Sequence, residues 1–337
     1  MMRSIADTEI PLPQTLYLEV TNRCNLRCRT CLQFYGMQEQ SRDLSLEEAK
    51  EISLQFTGLK TAVLHGIGEP LLNGDLPEII GHFKSRNVHA LFNSNALLLN
   101  RVSASQLVSK GLDELRVSLD AATETTFARI RGSEGFLKAV KNIETLSRMR
   151  NTDGRSLPKI SVWMVATREN VADLPELIRM AARVGIDEVY LQRLVYPVDG
   201  PGRGLADKEY AVIDPTPQVT EILRESHKIS RHLKVSLMAS GLVSPTESLK
   251  PKPRNTAPWR QCRRPWEVAY ITAWGNVLPC CISPFSTVNY STLILGNVFD
   301  QSFEKIWLGE KYRKFRQKHQ SDNPPRCCSG CGVEWSL

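Results

Sequence analysis

The sequence lacks a long hydrophobic run, and this absence bears on where the protein works. Although 42% of its 337 residues are hydrophobic, no apolar stretch approaches the roughly 18 residues needed to span a membrane. The N-terminal segment MMRSIADTEIPLPQ also lacks the apolar core and the small-residue cleavage site of a secretion signal. We therefore expect a cytoplasmic protein with no membrane contact.

The sequence also lacks a concentrated block of charge. Its 43 lysine and arginine residues exceed its 36 aspartate and glutamate residues, but the basic residues are scattered along the chain. The densest group lies on one predicted helix and comprises Lys311, Arg313, Lys314, Arg316 and Lys318. Because no nucleic-acid recognition motif accompanies this group, we interpret it as a solvated helix face and predict no nucleic-acid partner.

Cysteine is absent from the middle of the chain. Three of the nine cysteines lie in residues 24–31 and six lie in residues 262–331, with 230 cysteine-free positions between Cys31 and Cys262. Cysteines in a chain without a secretion signal favour metal or redox chemistry over a disulfide framework. This distribution predicts two separate metal sites.

Short aliphatic or β-branched runs alternate with longer amphipathic segments over the first part of the chain, as is typical of βα units around a parallel sheet. We predict six strands, at residues 16–20, 61–66, 89–94, 114–120, 160–167 and 188–194. Six units are too few to close an eight-stranded barrel. The expected fold class is therefore α/β, with a partial (β/α)6 TIM-like barrel.

The composition divides the chain into four parts. An N-terminal extension, residues 1–14, precedes the barrel at residues 15–195. Residues 196–258 are rich in proline, glycine and serine and are interpreted as a bridging segment with one helix and one short strand. Clustered cysteines and tryptophans in residues 259–337 indicate a small domain held together by metal.

The spacing of the first three cysteines suits an iron–sulfur cluster. In Cys24-x3-Cys28-x2-Cys31, three thiolates on one loop can hold a cubane and leave its fourth iron without a protein ligand. A zinc loop or buried reduced thiols are the alternatives. In a barrel of βα units, chemistry collects where the strands end, and this loop directly follows the first predicted strand.

The segment LYLEVTNRCNLRCRTC resembles the first strand and cluster loop of the radical S-adenosylmethionine (SAM) superfamily, and the resemblance covers most of residues 15–337. It implies a [4Fe–4S] cluster that cleaves SAM reductively, held by Cys24, Cys28 and Cys31. The GIGEP segment resembles the glycine-rich motif whose backbone receives the SAM amino group, and it supplies Gly66, Gly68, Glu69 and Pro70. A plain glycine-rich turn is the alternative there.

The same resemblance implies further SAM contacts, at Asn95, Ser118, Asp120 and Arg131. A guanidinium fork at Arg131 would suit the methionine carboxylate, whereas a solvated arginine and a helix-capping Asp120 are the alternatives. Two positions depart from the family pattern. Thr30 stands where an aromatic residue commonly packs against adenine, and Ala96 replaces a usual glycine.

The C-terminal pattern Cys262-x12-Gly275-x4-Cys280 resembles the opening of SPASM and Twitch domains, with a hairpin turning at Gly275-Asn276. The resemblance implies one auxiliary [4Fe–4S] cluster, with the ligands Cys262, Cys280, Cys328 and Cys331. Cys327 is a substitute for Cys328, and structural zinc is the alternative metal. The spare thiols, Cys281 and Cys327, are candidate hydrogen-atom donors or else inert buried cysteines.

The resemblance implies that a 5′-deoxyadenosyl radical abstracts a hydrogen atom from a substrate C–H bond. Because the first strand begins near residue 16 and leaves no room for a leader-binding module, we expect a small polar substrate, such as a sugar or aminocyclitol, undergoing dehydrogenation or epimerisation. Candidate pocket residues are His65, Trp163, Tyr190, Gln192 and Arg193.

Two alternatives for the function remain open at this point. One is a maturase that cross-links, oxidises or epimerises a peptide or protein side chain. The other is a non-catalytic iron–sulfur protein that relays electrons or acts as a scaffold. The net charge of +7 favours an acidic electron donor, such as a flavodoxin or ferredoxin.

Overall fold

Ten strands form one sheet in the structure, a computed structural model that describes residues 10–35, 38–152, 154, 156–241, 243–250, 257–329 and 331. The strands are β1 (Thr15–Leu18), β2 (Thr61–Val63), β3 (His89–Ser94), β4 (Glu114–Ser118), β5 (Lys159–Ala166), β6 (Glu188–Arg193), β7 (Ser236–Ala239), β8 (Val268–Ile271), β9 (Asn276–Leu278) and β10 (Gly296–Asn297). Their order across the sheet is β10-β9-β8-β1-β2-β3-β4-β5-β6-β7.

Helices connect the successive parallel strands. The helices are α1 (Leu32–Tyr35), α2 (Leu46–Leu54), α3 (Leu76–Ser85), α4 (Arg101–Ser109), α5 (Glu124–Arg131), α6 (Phe136–Thr152), α7 (Leu174–Arg183), α8 (Pro217–Leu233), α9 (Pro245–Leu249), α10 (Arg264–Glu267), α11 (Ser283–Ser286), α12 (Phe303–Trp307), α13 (Glu310–Gln320) and α14 (Arg326–Ser329). All six predicted strands occur, which confirms the α/β class with its βα units.

The sheet continues beyond the six predicted strands on both sides. In the segment interpreted as a bridge, α8 leads to β7, which pairs in parallel with β6. On the other side, the four buried residues of β8 pair in parallel with β1, from Thr15 opposite Val268 to Leu18 opposite Ile271. The cysteine-rich region is therefore joined to the barrel by sheet hydrogen bonds.

The hydrophobic core is also continuous between the barrel and the C-terminal region. Phe56, two residues after the end of α2, packs against Phe303 of α12 with ring centroids 4.4 Å apart. Trp307 is fully buried, and its indole N–H donates to the carbonyl oxygen of Pro11 at 3.0 Å. Burial of these large aromatic side chains stabilises the union of the two regions by several kcal/mol, at roughly 1.5–3 kcal/mol for each side chain.

The predicted basic face of α13 needs one correction. Arg316 is buried, because its guanidinium group packs against the rings of both Trp307 and Tyr312 and donates to the carbonyl oxygens of Pro265 and Trp307. The other four basic side chains of that group are exposed. Within the described part of the chain, no helix has both the length and the apolar character required to cross a membrane.

Candidate active site and a second cysteine cavity

A cavity of about 300 Å³, the barrel cavity, opens where the strands of the barrel end. It brings together nearly all of the residues expected to hold the first cluster and SAM. Its lining includes Cys24, Cys28, Cys31, Gly66, Gly68, Glu69, Asn95, Ser118, Asp120 and Arg131. Pro70 lies outside this lining, where it begins a short 3-10 turn capped by the Glu69 side chain.

Backbone hydrogen bonds hold the cysteine loop in place. The amide of Cys31 donates to the carbonyl oxygen of Cys28 at 2.9 Å, and the amide of Glu69 donates to that of Arg23 at 2.7 Å. Burial raises the pKa of Cys24 to about 11 and that of Cys31 to about 12. These thiols are therefore neutral until a metal centre supplies the positive charge that favours thiolates.

The two glycines of the GIGEP segment occupy positions without space for a side chain. A Cβ atom at Gly66 would collide with the carboxylate of Glu19, and one at Gly68 would collide with the carbonyl oxygen of Thr21. The segment therefore lies directly against β1 and the start of the cysteine loop. Glycine permits this close approach and leaves backbone polar groups accessible from the cavity.

The carboxylate of Glu69 organises the end of β3. Its Oε1 accepts a hydrogen bond from Ser94 Oγ at 2.8 Å, and its Oε2 accepts one from the amide of Asn95 at 2.8 Å. The next residue, Ala96, is buried and has a φ of +61°, in the left-handed region that favours glycine. Position 96, where a glycine was expected, therefore has the backbone conformation typical of glycine although alanine occupies it.

Arg131 links the cysteine loop to the fourth strand. Its Nη2 lies 2.8 Å from Asp120 Oδ2, and its Nη1 donates to Cys28 Sγ at 3.5 Å. Among the described residues, the buried polar atoms at this cavity without a hydrogen-bond partner include Arg131 Nε and Asn93 Oδ1. Three thiols, a glycine segment without side chains and these polar atoms fit a three-cysteine cluster with SAM.

The floor of the barrel cavity is aromatic and cationic. Trp163 of β5 stacks on Tyr190 of β6 with ring centroids 4.0 Å apart, and the Arg116 guanidinium lies 4.9 Å from the Trp163 ring. Burial, followed by the charge of Arg116, lowers the pKa of His65 to about 3, so its imidazole is neutral. The predicted pocket residues Gln192 and Arg193 also line this cavity, whereas sequence analysis missed Arg116.

Glu19 is a second residue that sequence analysis missed. Its carboxylate is fully buried and accepts hydrogen bonds from the amides of Ile67 at 2.7 Å and Ala273 at 3.2 Å. Burial raises the pKa of Glu19 to about 7. One carboxylate therefore joins the GIGEP segment to the β8–β9 hairpin. The available signal was a charged residue within the otherwise apolar strand LYLEV.

A second cavity of about 610 Å³, the C-terminal cavity, contains most of the remaining cysteines, Cys262, Cys280, Cys327, Cys328 and Cys331. Burial raises the pKa of Cys331, and the neighbouring thiols of Cys280 and Cys262 raise it further. The sulfur atoms of Cys327 and Cys328 lie 3.8 Å apart. Among the described residues, no group of three Cys, His, Asp or Glu side chains is placed to hold a single metal ion.

The adjacent residues Cys280 and Cys281 line different cavities. Cys280 lines the C-terminal cavity, whereas Cys281 lines the barrel cavity and accepts a hydrogen bond from Arg264 Nη1 at 2.7 Å. Cys327, the other candidate hydrogen-atom donor, lies on α14 and lines only the C-terminal cavity. Of the two candidates, the structure places Cys281 beside the expected SAM site.

Several characterised proteins are similar in sequence to nearly the whole of this chain. The chain is 28% identical to the tungsten-containing aldehyde ferredoxin oxidoreductase cofactor-modifying protein of Pyrococcus furiosus, over 89% of this chain and 82% of that protein. It is 27% identical to the PqqA peptide cyclase of Bradyrhizobium diazoefficiens, over 97% of this chain and 81% of that protein. It is also 27% identical to the mycofactocin maturase MftC of Mycolicibacterium smegmatis, over 95% of this chain and 76% of that protein.

A solved structure has the same fold. Streptococcus suis SuiB, in its complex with the precursor peptide SuiA, superposes with a TM-score of 0.69 at 16% identity. The match covers 92% of this chain and 68% of that one. This likeness confirms the expected architecture, a TIM-like barrel followed by a C-terminal cysteine-rich region.

Two family profiles match the chain. The profile of the radical SAM superfamily matches residues 18–190, more than half of the chain, and the SPASM profile, an iron–sulfur cluster-binding domain, matches residues 262–332. They confirm the expected cofactors, namely SAM, its [4Fe–4S] cluster and auxiliary iron–sulfur binding. The chain belongs to the radical SAM superfamily and carries a C-terminal SPASM domain.

Proposed function

We propose that this enzyme is a maturase that modifies a side chain of a peptide or protein after abstracting a hydrogen atom from one of its C–H bonds. Two relatives that match nearly the whole chain, the PqqA peptide cyclase and the mycofactocin maturase, support this class of substrate. The relative from Pyrococcus furiosus is named as a cofactor-modifying protein. A non-peptide substrate is therefore the competing hypothesis.

The observation that carries the proposal is the size of the barrel cavity. Pockets for drug-sized ligands usually have volumes of about 300–1,000 Å³. The barrel cavity is at the lower end of this range, with about 300 Å³, and the same space must also receive SAM. One drug-sized ligand such as SAM accounts for a volume of this size, so we expect the substrate to reach the reacting position from the mouth of the cavity, as a side chain of a larger molecule does. The maturase hypothesis therefore replaces the small polar substrate as our preferred function.

The residues of the barrel cavity have separate roles in this proposal. Cys24, Cys28 and Cys31 hold the cluster, which together with SAM supplies the 5′-deoxyadenosyl radical when both are bound. The GIGEP backbone receives the SAM amino group, and Asn95, Ser118 and Arg131 orient the rest of the molecule. The stacked rings of Trp163 and Tyr190 exclude water from that side of the cavity and so shield the reacting C–H bond.

The C-terminal cavity supports an oxidative outcome. We assign Cys262, Cys280, Cys328 and Cys331 as ligands of an auxiliary [4Fe–4S] cluster, in a cavity that shares the wall of residues 193–195 with the barrel cavity. A nearby electron acceptor favours cross-linking or oxidation, in which the product has lost two hydrogen atoms. Epimerisation, with Cys281 returning a hydrogen atom, is the redox-neutral alternative. An acidic flavodoxin or ferredoxin remains our proposed electron donor.

The test is an anaerobic assay of the reconstituted enzyme with SAM and dithionite. The probes are synthetic peptides copied from short reading frames beside its gene and, in a parallel arm, 2-deoxystreptamine with a panel of hexoses. We expect 5′-deoxyadenosine with any probe and a mass decrease of two hydrogens in a peptide only. Modification of a sugar or aminocyclitol alone would contradict the peptide assignment. Absence of 5′-deoxyadenosine from enzyme with intact clusters would favour a non-catalytic iron–sulfur protein.

A further inference from the structure

A buried arginine lies between the two cysteine cavities. Arg264 begins α10 two residues after Cys262 and is only 4% exposed. Its side chain lines the barrel cavity, whereas the next residue, Pro265, lines the C-terminal cavity. A guanidinium group keeps its positive charge in proteins even when it is buried. This part of the molecule therefore carries a permanent charge in a region of low dielectric constant.

The surroundings of Arg264 connect its charge to both sets of thiols. Its Nη1 donates to Cys281 Sγ at 2.7 Å on the side of the barrel cavity. On the side of the C-terminal cavity, Arg264 follows the assigned ligand Cys262 by two residues, and its hydrogen-bond partner Cys281 directly follows the assigned ligand Cys280. Two of the four ligands assigned to the auxiliary cluster therefore lie within two residues of Arg264 or of its hydrogen-bond partner.

Reduction of an iron–sulfur cluster adds one electron and therefore one negative charge. Net charge, hydrogen bonding and solvent exposure of the surroundings set the reduction potential of such a cluster. A fixed positive charge near the cluster stabilises the reduced form more than the oxidised form, and the effect is larger where water is excluded. The position of Arg264 is thus suited to making a cluster in the C-terminal cavity a better electron acceptor.

We propose that Arg264 is a positioning residue whose fixed charge raises the reduction potential of the auxiliary cluster. This inference rests on the proposed assignment of the C-terminal cavity as a cluster site. It also gives the direction of electron transfer, because an auxiliary cluster with a higher reduction potential accepts electrons from the barrel cavity. The role differs from that of a ligand, since Arg264 itself coordinates no iron.

The test is an EPR-monitored redox titration of full-length protein in which Cys24, Cys28 and Cys31 are replaced by alanine, so that only the auxiliary signal remains. Arg264→Gln removes the charge, and Arg264→Lys keeps it. We expect the midpoint potential to shift to a more negative value in Arg264→Gln and to recover most of that shift in Arg264→Lys. The matched control is Arg263→Gln, because Arg263 is exposed and pairs with Glu267.

Each outcome decides a separate question. An unchanged midpoint in Arg264→Gln, or an equal shift in Arg263→Gln, would overturn the role of Arg264 while leaving the cluster assignment intact. Absence of a cubane signal in the parent triple variant would overturn the cluster assignment instead. If Arg264→Gln loses its iron, Arg264→Met is titrated as a second neutral variant. Loss of iron from both, with retention in Arg264→Lys, would replace the proposed tuning role with a structural one.

Discussion

At the scale of single residues, Gly68 bears a steric constraint that no side-chain rotation can relieve. A Cβ atom there would meet the carbonyl oxygens of Thr21 and Arg23, which belong to the backbone and cannot rotate away. Overpacking of this kind costs about 1–3 kcal/mol. Relief of this overlap displaces the GIGEP backbone, and we expect Gly68→Ala to weaken SAM binding by about tenfold, which corresponds to about 1.4 kcal/mol of binding free energy.

Equilibrium binding of SAM to the reconstituted protein checks this prediction. The matched control is Gly74→Ala, because a Cβ atom at Gly74 would meet no heavy atom within 4 Å. Gly74→Ala should bind SAM as the parent protein does. Equal affinities in Gly68→Ala and Gly74→Ala would show that the GIGEP segment does not form the SAM site.

Glu19 gives a prediction about pH and stability. Its pKa rises from an unfolded value near 4.5 to about 7 in the folded protein, chiefly because of burial. The folded state therefore binds a proton more tightly than the unfolded state, and stability is lost as the pH rises from about 4.5 through 7. A shift of this size corresponds to about 3 kcal/mol at most.

Glu19→Gln should remove this dependence, because an amide does not titrate. We expect the free energy of unfolding of the wild-type protein to fall more steeply between pH 5 and pH 8 than that of Glu19→Gln. Urea denaturation of both proteins at the two pH values measures the difference. Identical slopes would mean that Glu19 is ionised throughout this range, and that its buried charge is stabilised by Ile67 and Ala273.

At the scale of elements, the pairing of β8 with β1 makes the SPASM hairpin part of the barrel sheet. All four residues of β8 are buried, and the strand lies between β1 and β9. We expect the amides of β8 to exchange hydrogen as slowly as those of β1. By contrast, β7 lies at the edge of the sheet and should exchange faster. Hydrogen exchange measured by mass spectrometry would contradict the shared sheet if β8 exchanged at the rate of β7.

The elements also show how far sequence patterns reach. The six barrel strands were predictable because each has a local aliphatic pattern, and the helices between them follow the same local rule. The parallel pairing of β8 with β1 was not predictable, because it joins segments far apart in the chain through backbone bonds that carry no residue signature. The helix and the short strand predicted for the bridging segment occur as α8 and β7, although the parallel pairing of β7 with β6 was not part of that prediction.

At the scale of the whole molecule, sequence motifs located the cysteines and glycines of both sites, but not the residues between them. Short motifs work where chemistry fixes spacing along the chain, as in Cys24-x3-Cys28-x2-Cys31. Glu19 and Arg264 act through partners from distant segments. The charge of Glu19 within an apolar strand is a local signal, but no local pattern identifies the partners of either residue. The placement of Cys280 and Cys281 in two different cavities likewise depends on packing. The sequence shows only two adjacent cysteines and does not indicate which cavity each one lines.

Two neighbouring cysteine cavities with one shared wall are the central feature of this molecule. The proposed chemistry requires a radical-generating cluster in one cavity and an electron acceptor in the other. Iron analysis with low-temperature EPR, comparing wild type with the Cys24→Ala, Cys28→Ala, Cys31→Ala variant, tests this directly. We predict that the variant loses SAM cleavage but keeps about four irons per chain and a cubane signal. A variant that retains only zinc, or no metal, would contradict the account.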